Sequence, residues 1–479
     1  MPLDEQALFQ SLDPILTKFA ADRHTPGLIL GIVADGGLAY ARAIGRRSVR
    51  SGEPVTVDTT FRVASMTKMF TALGLLHLRD RGKLHFDELV ENIVPELASL
   101  RYPTSDCRRI RIRDLLSHVG GFVTDDPWGD RHLDMSEVEF SSLLRSQLPF
   151  ARAPGIAHEY SNLGFAILGR VITNRSGQRY DTYLHENFLR PLDMPSSTWE
   201  VGDIPIERRA VGHSWIEGEW VEESSLGHGA FGAMGGLHTT ARDYAHFVAW
   251  LLSAWPPRDD ADDSILARSS IRELAEGDGF PQIQDRHFRL DASEESSAQR
   301  YGLGIVSVAD AMLGSVLTHS GGLPGYGSNV LLLPNRGVGL FLFANITYAR
   351  PAPTVRELAV QLVSAGTFPE RTTAPSPELV NAGKAVRTIY GTGDIEAGGD
   401  ILAMNVLLDC TPDRWRRELA RLHASLGDCT GEGALVADSA MAGAFTFPCE
   451  RGHLRVQVLL APTVPAKIQK LEFSILPLT

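Results

Sequence analysis

Lysine is the scarcest charged residue in this chain: Lys18, Lys68, Lys83, Lys384, Lys467 and Lys470 are the only ones in 479 residues. Arginine supplies the rest of the positive charge, a compositional bias that carries no chemistry of its own. The net charge of −12 argues against general binding to nucleic acid or to an anionic membrane. Cysteine is sparse too. Cys107, Cys410, Cys429 and Cys449 include no CxxC spacing, so no metal or redox motif is present, and reduced, buried thiols are expected. No apolar run reaches the length of a membrane span. The nearest, Val330 to Ile346, is broken by Pro334-Asn335-Arg336-Gly337 into two strand-length pieces. The first residues show neither a basic n-region nor an apolar h-region, so a cytoplasmic protein without a signal peptide is expected, as are the absence of a metal and of any cofactor.

What remains is an ordinary globular composition, 43% hydrophobic and 22% charged, long enough for two or three domains. Residues 4–22 carry apolar side chains at helical spacing. Gly27 to Ala34 and Leu38 to Gly45, joined at Gly36-Gly37, read as a β-hairpin. A long apolar helix is expected from Ser65 to about Arg81, with Gly82 as its stop signal. Helical patterns then dominate: a short one at Asp114 to His118, then Leu163 to Thr173, 178–190 and Thr239 to Leu252. His118 reads as a structural histidine near a helix end. Between them, 122–157 is polar, aromatic and punctuated by Pro and Gly, a composition that suits an active-site entrance. From Tyr301 the pattern becomes a meander of short strands: Gly302 to Val308, Ser315 to His319, Asn329 to Leu333 and Val338 to Asn345. Thr354 to Val363 reads as a closing helix. The domain limits expected are 1–367, a linker at 368–378, and a small α+β unit at 379–479. In that unit Ile401 to Leu408, Ala442 to Phe447, Leu454 to Leu460 and Ile468 to Leu476 read as strands, and Pro412 to Leu426 as an amphipathic helix.

Three short motifs carry the chemistry. Ser65-Met66-Thr67-Lys68 places a serine at a helix start, beside free backbone N–H groups, with a lysine one turn on. A desolvated lysine amine can take the proton of that hydroxyl, so the pair is a self-contained nucleophile and base. Tyr160-Ser161-Asn162 stands just before a helix. Its phenol can relay protons, and its amide can hold a substrate carbonyl and the lysine together. His319-Ser320-Gly321-Gly322 ends a strand, where glycines let a substrate backbone lie close and where the Gly322 N–H can join that of Ser65 in an oxyanion hole.

In this order the triple resembles the penicillin-recognising serine hydrolases: class C β-lactamases, DD-peptidases, D-aminopeptidases and related esterases. Their pattern is Ser-x-x-Lys, Tyr-x-Asn, then Lys/His/Trp-x-Gly, matched here by Ser65/Lys68, Tyr160/Asn162 and His319/Gly321. Phe61-Arg62-Val63-Ala64-Ser65, Asp114-Leu115-Leu116-Ser117-His118 and Gly235-Gly236-Leu237-His238-Thr239-Thr240-Ala241-Arg242-Asp243 look like the family as well. The resemblance covers roughly residues 5–365. It implies a β-lactamase-like α/β sandwich, an antiparallel sheet (1–60 and 300–367) flanked by helices, with a mostly helical lobe (61–299) inserted. It also implies catalysis by Ser65, Lys68 and Tyr160 through an acyl-enzyme, with Lys68 and Tyr160 both open as the base, and substrate contacts from Asn162, His319, Gly321 and Gly322. The third motif has His319 where β-lactamases usually carry lysine, so a D-aminopeptidase, amidase or carboxylesterase acting on a small molecule or short peptide is expected ahead of a β-lactamase or DD-carboxypeptidase. A catalytically inactive binding or sensor protein is the alternative from another class. For the C-terminal unit, cleft covering, homo-oligomerisation and partner binding stay open.

Overall fold

A computed structural model describes residues 10–262, 265–277, 279, 282–285, 296–371 and 374–476. Two compact units divide between Pro369 and Glu370. In the first, β1 (Gly27–Ala34) and β2 (Gly37–Gly45) form the expected hairpin. Short pairs follow: β3 (Phe61–Arg62) with β6 (His238–Thr239), and β4 (His213–Ile216) with β5 (Glu219–Glu222). The meander is β7 (Gln282–Asp285), β8 (Ser296–Tyr301), β9 (Val306–Asp310), β10 (Gly314–Leu323), β11 (Tyr326–Leu333) and β12 (Val338–Ala344). One eight-stranded antiparallel sheet results, in the order β2-β1-β12-β11-β10-β9-β8-β7. The fold is therefore β-lactamase-like, as the motifs implied.

The period-2 alternation of a strand explains the layering. On β1, Leu28, Leu30 and Ile32 face one side and join Leu340 and Leu342 of β12 with Leu16, Phe19, Val355 and Leu358 of the terminal helices Asp13–Asp22 and Ala352–Ser364. Ile29, Val33, Phe341 and Phe343 face the other side and join the helical lobe around Met69, Phe70 and Phe247. Both faces are covered, so the central strands are fully buried.

Several elements differ from the sequence reading. Residues 4–9 of the first expected helix lie outside the described residues. The apolar Gly302 to Val308 run is split, its first residues making a turn between β8 and β9. Hairpin β4–β5 carries no clean alternation and was missed. In the second unit, Ile401 to Leu408 is not a strand: a 3₁₀ turn ends at Ile401 and a helix spans Met404–Asp409. Short apolar runs do not distinguish the two by period; here only Val406 of the helix is buried. A helix at Pro377–Thr392, capped by Ser376, starts inside the expected linker. Strands Ala434–Ser439, Ala442–Cys449, Gly452–Leu460 and Ile468–Leu476 form an antiparallel sheet, packed on Leu419, Leu422 and Leu426 of the helix Pro412–Leu426. Cys429 and Cys449 are joined by a disulfide, against the expectation of reduced thiols. An antiparallel bridge sets the two residues opposite each other, a juxtaposition their 20-residue separation does not reveal. Cys107 and Cys410 are free and half-buried. No helix among the described residues is long and apolar enough to cross a membrane.

Candidate active site

Ser65 lies in a 3₁₀ turn, Ala64–Met66, and the α-helix proper begins one residue later, Thr67–Asp80. Ala64, buried, has a φ of +51°, a left-handed conformation that a side-chain-bearing residue adopts only under constraint. The constraint is visible: Thr67 Oγ1 donates to the Ala64 carbonyl at 2.7 Å and accepts from the Leu237 N–H at 3.1 Å. Ser328 Oγ donates to the Val63 carbonyl at 2.8 Å. The turn is thereby pinned to the sheet on one side and to the 230–237 segment on the other.

Lys68 is fully buried and among the described residues forms no ion pair. Its Nζ lies 2.7 Å from Asn162 Oδ1, 3.0 Å from the Met234 carbonyl and 3.0 Å from Ser65 Oγ. Two of these partners can only accept, whereas the serine hydroxyl can donate. The site fits both protonation states: an ammonium gives one hydrogen to each partner, and a neutral amine gives two to Asn162 and Met234 and takes the Ser65 hydrogen on its lone pair. Burial pushes the Lys68 amine down to about 8, and the charges of Asp126, Asp130 and Asp125 resist that fall. Tyr160 shares a hydrogen bond with Ser65, and its ring centre is 5.0 Å from Lys68 Nζ. Burial, then the Asp126 charge, hold its phenol well above its usual range, against the pull of Ser65. Of the two candidate bases, only the lysine can shed its proton near neutrality.

Asn162 opens the helix Asn162–Ser176, for which Ser161 is the N-cap. It is completely buried and held from two sides. Asp125 accepts from the Asn162 N–H at 2.6 Å and from the Leu163 N–H at 2.9 Å, and Asp126 Oδ1 accepts from Asn162 Nδ2 at 2.9 Å. The amide is thus fixed with its oxygen toward Lys68.

The third motif lies on β10. Strand β9 pairs with β10 only over Gly314 to Thr318, so β9 leaves the edge from His319 to Leu323 unpaired. A Cβ at Gly321 would lie 2.3 Å from the Val63 carbonyl oxygen and 3.0 Å from Ala64 Cβ, so glycine is required where the strand meets the serine turn. His319 shares that face and is buried. Its Nδ1 is 2.7 Å from the Ser320 carbonyl, an acceptor only, so Nδ1 carries the hydrogen and Nε2 accepts from the Tyr301 hydroxyl at 2.8 Å. Burial, and then the Lys68 charge, push His319 down to about 3, so it is a neutral residue locked onto Tyr301.

Ser65, Lys68, Tyr160, Asn162, His319 and Gly321 are therefore brought together, with Gly322 beside them on the open edge. Residues 12–364 match the beta-lactamase family. The chain belongs to that family. Protein flp of Staphylococcus aureus (strain MW2) is 25% identical over 361 residues, covering 74% of this chain and 66% of that protein. Beta-lactamase-like protein 2 of Dictyostelium discoideum is 28% identical over 282 residues, 57% of this chain and 51% of that protein. The chain thus spans less than two thirds of either relative. An octameric penicillin-binding protein homologue from Pyrococcus abyssi superposes with a TM-score of 0.61 at 19% identity, over 95% of this chain and 91% of that one. A class C beta-lactamase mutant gives 0.60 at 18%, over 76% and 98%.

Within this beta-lactamase-family site, several residues had no motif to announce them. Asp125, Asp126 and Asp130 all come from the entrance segment, where they open and flank the one-turn helix Asp126–Gly129. Asp130 accepts from the Tyr348 hydroxyl at 2.7 Å, and burial raises it to about 7. Asn329 of β11 donates to the His319 carbonyl at 3.1 Å and steadies β10. His118 is structural, as expected: Nδ1 accepts from the Ser161 N–H at 3.1 Å, and the ring packs 4.2 Å from that of Tyr160. Away from the site, Asp181, Glu200 and His228 lie close enough to ligate an ion, but Arg179 already donates to Asp181 at 2.9 Å.

Proposed function

We propose that this protein is a serine hydrolase that works through an acyl-enzyme on an amide, peptide or ester bond. Ser65 attacks the carbonyl. Lys68 takes its proton directly, because it is buried, paired with no carboxylate among the described residues and 3.0 Å from the hydroxyl; that contact carries the reading. Tyr160 hands its proton to the leaving group and is re-protonated by the Lys68 ammonium, so the proton lost by Ser65 ends on the leaving group, no phenolate accumulates and Lys68 is again neutral, and Asn162 orients the substrate. The N–H groups of Ser65 and Gly322 hold the developing oxyanion. Water then releases the acid.

The substrate is of the D-aminopeptidase, amidase or carboxylesterase kind. A neutral His319 puts no fixed positive charge on the β10 edge, which supports this class over efficient β-lactam turnover. A protein that only bound ligand would gain nothing from a buried amine with lowered proton affinity beside the serine. Self-association is also proposed, on the octameric state of the Pyrococcus abyssi homologue, whose match extends over the C-terminal unit. Ser65→Ala tests the chemistry: hydrolysis of p-nitrophenyl esters is expected to fall at least about 1,000-fold, and fluorophosphonate labelling to vanish. Wild-type turnover by that variant would remove Ser65 from the mechanism.

A further inference from the structure

A cavity of about 530 Å³ opens in the first unit beside the β3–β6 pair. Most of the charges around it cancel. Arg47 pairs with Glu53, and Arg50 with Glu222 at 3.0 Å. Glu223 is taken up by Arg131 at 3.2 Å and by the hydroxyls of Ser214 and Thr347.

Two cations are left over. Arg62 is only 4% exposed, and among the described residues no carboxylate pairs with it. Nη2 donates to the Leu226 carbonyl at 2.7 Å, and Nε is buried with no partner. Arg209 is half-buried, lines the same cavity and has no carboxylate partner among the described residues. The charges of both bear on the phenol of Tyr326, which also lines the cavity. A guanidinium presents five donors in a planar fork, and a buried one is kept only where an anion or acceptors satisfy it. Leu226 satisfies one donor of Arg62.

We propose that this cavity binds a carboxylate, held by Arg62 and Arg209. A carboxylate matches the fork with two parallel hydrogen bonds. Phosphate, with up to two charges, suits it less: of the other lining glutamates Glu223 is engaged by Arg131 and Glu207 is exposed, yet their charges still bear on the cavity and favour a singly charged ligand. Leu323, which directly follows Gly322 on β10, is part of the wall, and Arg62 precedes Ser65 by three residues. The carboxylate therefore belongs either to the substrate or to a separate small molecule acting next to the site.

Two arms distinguish these sources. In the first, p-nitrophenyl hemisuccinate and p-nitrophenyl butyrate are compared in wild type, Arg62→Met and Arg209→Met. This arm rests on the proposed hydrolase activity. A substrate carboxylate predicts a wild-type preference for the hemisuccinate in kcat/KM that falls about tenfold in each variant. In the second, succinate is titrated into Ser65→Ala protein at constant ionic strength and the thermal midpoint is followed, with and without each arginine substitution. This arm needs no turnover, so it survives failure of the proposed nucleophile. A separate ligand predicts a rise that either substitution abolishes. Arg209→Met keeps both arms readable if Arg62→Met does not fold. Absence of both the preference and the shift in wild type, or persistence of either in both variants, leaves a hydrated arginine only and overturns the proposal.

Discussion

If Lys68 is the base, the negative charges around it are a brake on the reaction near neutral pH, and Asp126 is the first of them. Asn162 stands between the two, receiving Lys68 at 2.7 Å and reaching Asp126 at 2.9 Å, which puts the carboxylate within about 8 Å of the amine. Over that distance a unit charge is worth about 2 kcal/mol at an effective dielectric constant near 20 and about 0.5 kcal/mol in water. Asp126 is half-buried, so the true value falls between these. One pKa unit corresponds to about 1.4 kcal/mol, so loss of the charge shifts Lys68 by about 0.4 to 1.5 units. The sign follows from the chemistry. The neutral amine is the active form, so kcat/KM rises with pH through about 8. Removing a negative charge destabilises the ammonium form and moves that limb downward. Asp126→Asn is nearly isosteric and still accepts from Asn162 Nδ2. At pH 6.5 it is expected to be about 2- to 15-fold faster than wild type, with the same plateau at high pH. Stopped assays of a pH-stable ester across pH 5.5 to 9.5 give the profile. A limb that stays in place, or moves up, refutes Lys68 as the titrating base.

Two further tests bear on the frame and on assembly. Gly321→Ala forces a methyl group against the Val63 carbonyl and Ser328 Oγ, both 2.3 Å from its Cβ position. It is expected to cost about 1–3 kcal/mol in a urea melt and to lower kcat, and an unchanged melt would mean that β10 and the serine turn are not in fixed register. Light scattering of the full chain and of a form ending at Pro369 tests self-association: a multimer that falls to a monomer on truncation supports the C-terminal unit as its seat, and a monomeric full chain removes the proposal.

Local spacing was enough to name the residues that the fold brings together in the proposed reactive core. Ser65 and Lys68 are one helical turn apart, Tyr160 and Asn162 straddle a helix cap, and Gly321 lies among the last paired residues of β10; each motif is short because its geometry is set by a single element. The same holds for β1, for β12 and for the helix Pro412–Leu426, whose apolar periods are unbroken. The sequence could not show what depends on distant chain segments meeting. Asp125 and Asp126 hold Asn162 from a single helical turn too short to show a period, and Asn329 steadies His319 from the neighbouring strand. Cys429 meets Cys449 only because a β-bridge brings them together. Arg62 reads along the chain as part of a flanking phrase; in the fold it is buried, it lines one cavity with Arg209, and no carboxylate among the described residues forms an ion pair with it, the Asp134 charge acting only from farther off. Protonation was the last thing decided by tertiary structure. Whether Lys68 is a surface cation or a buried base depends on how much water the surrounding lobe excludes, and no residue pattern along the chain encodes that quantity.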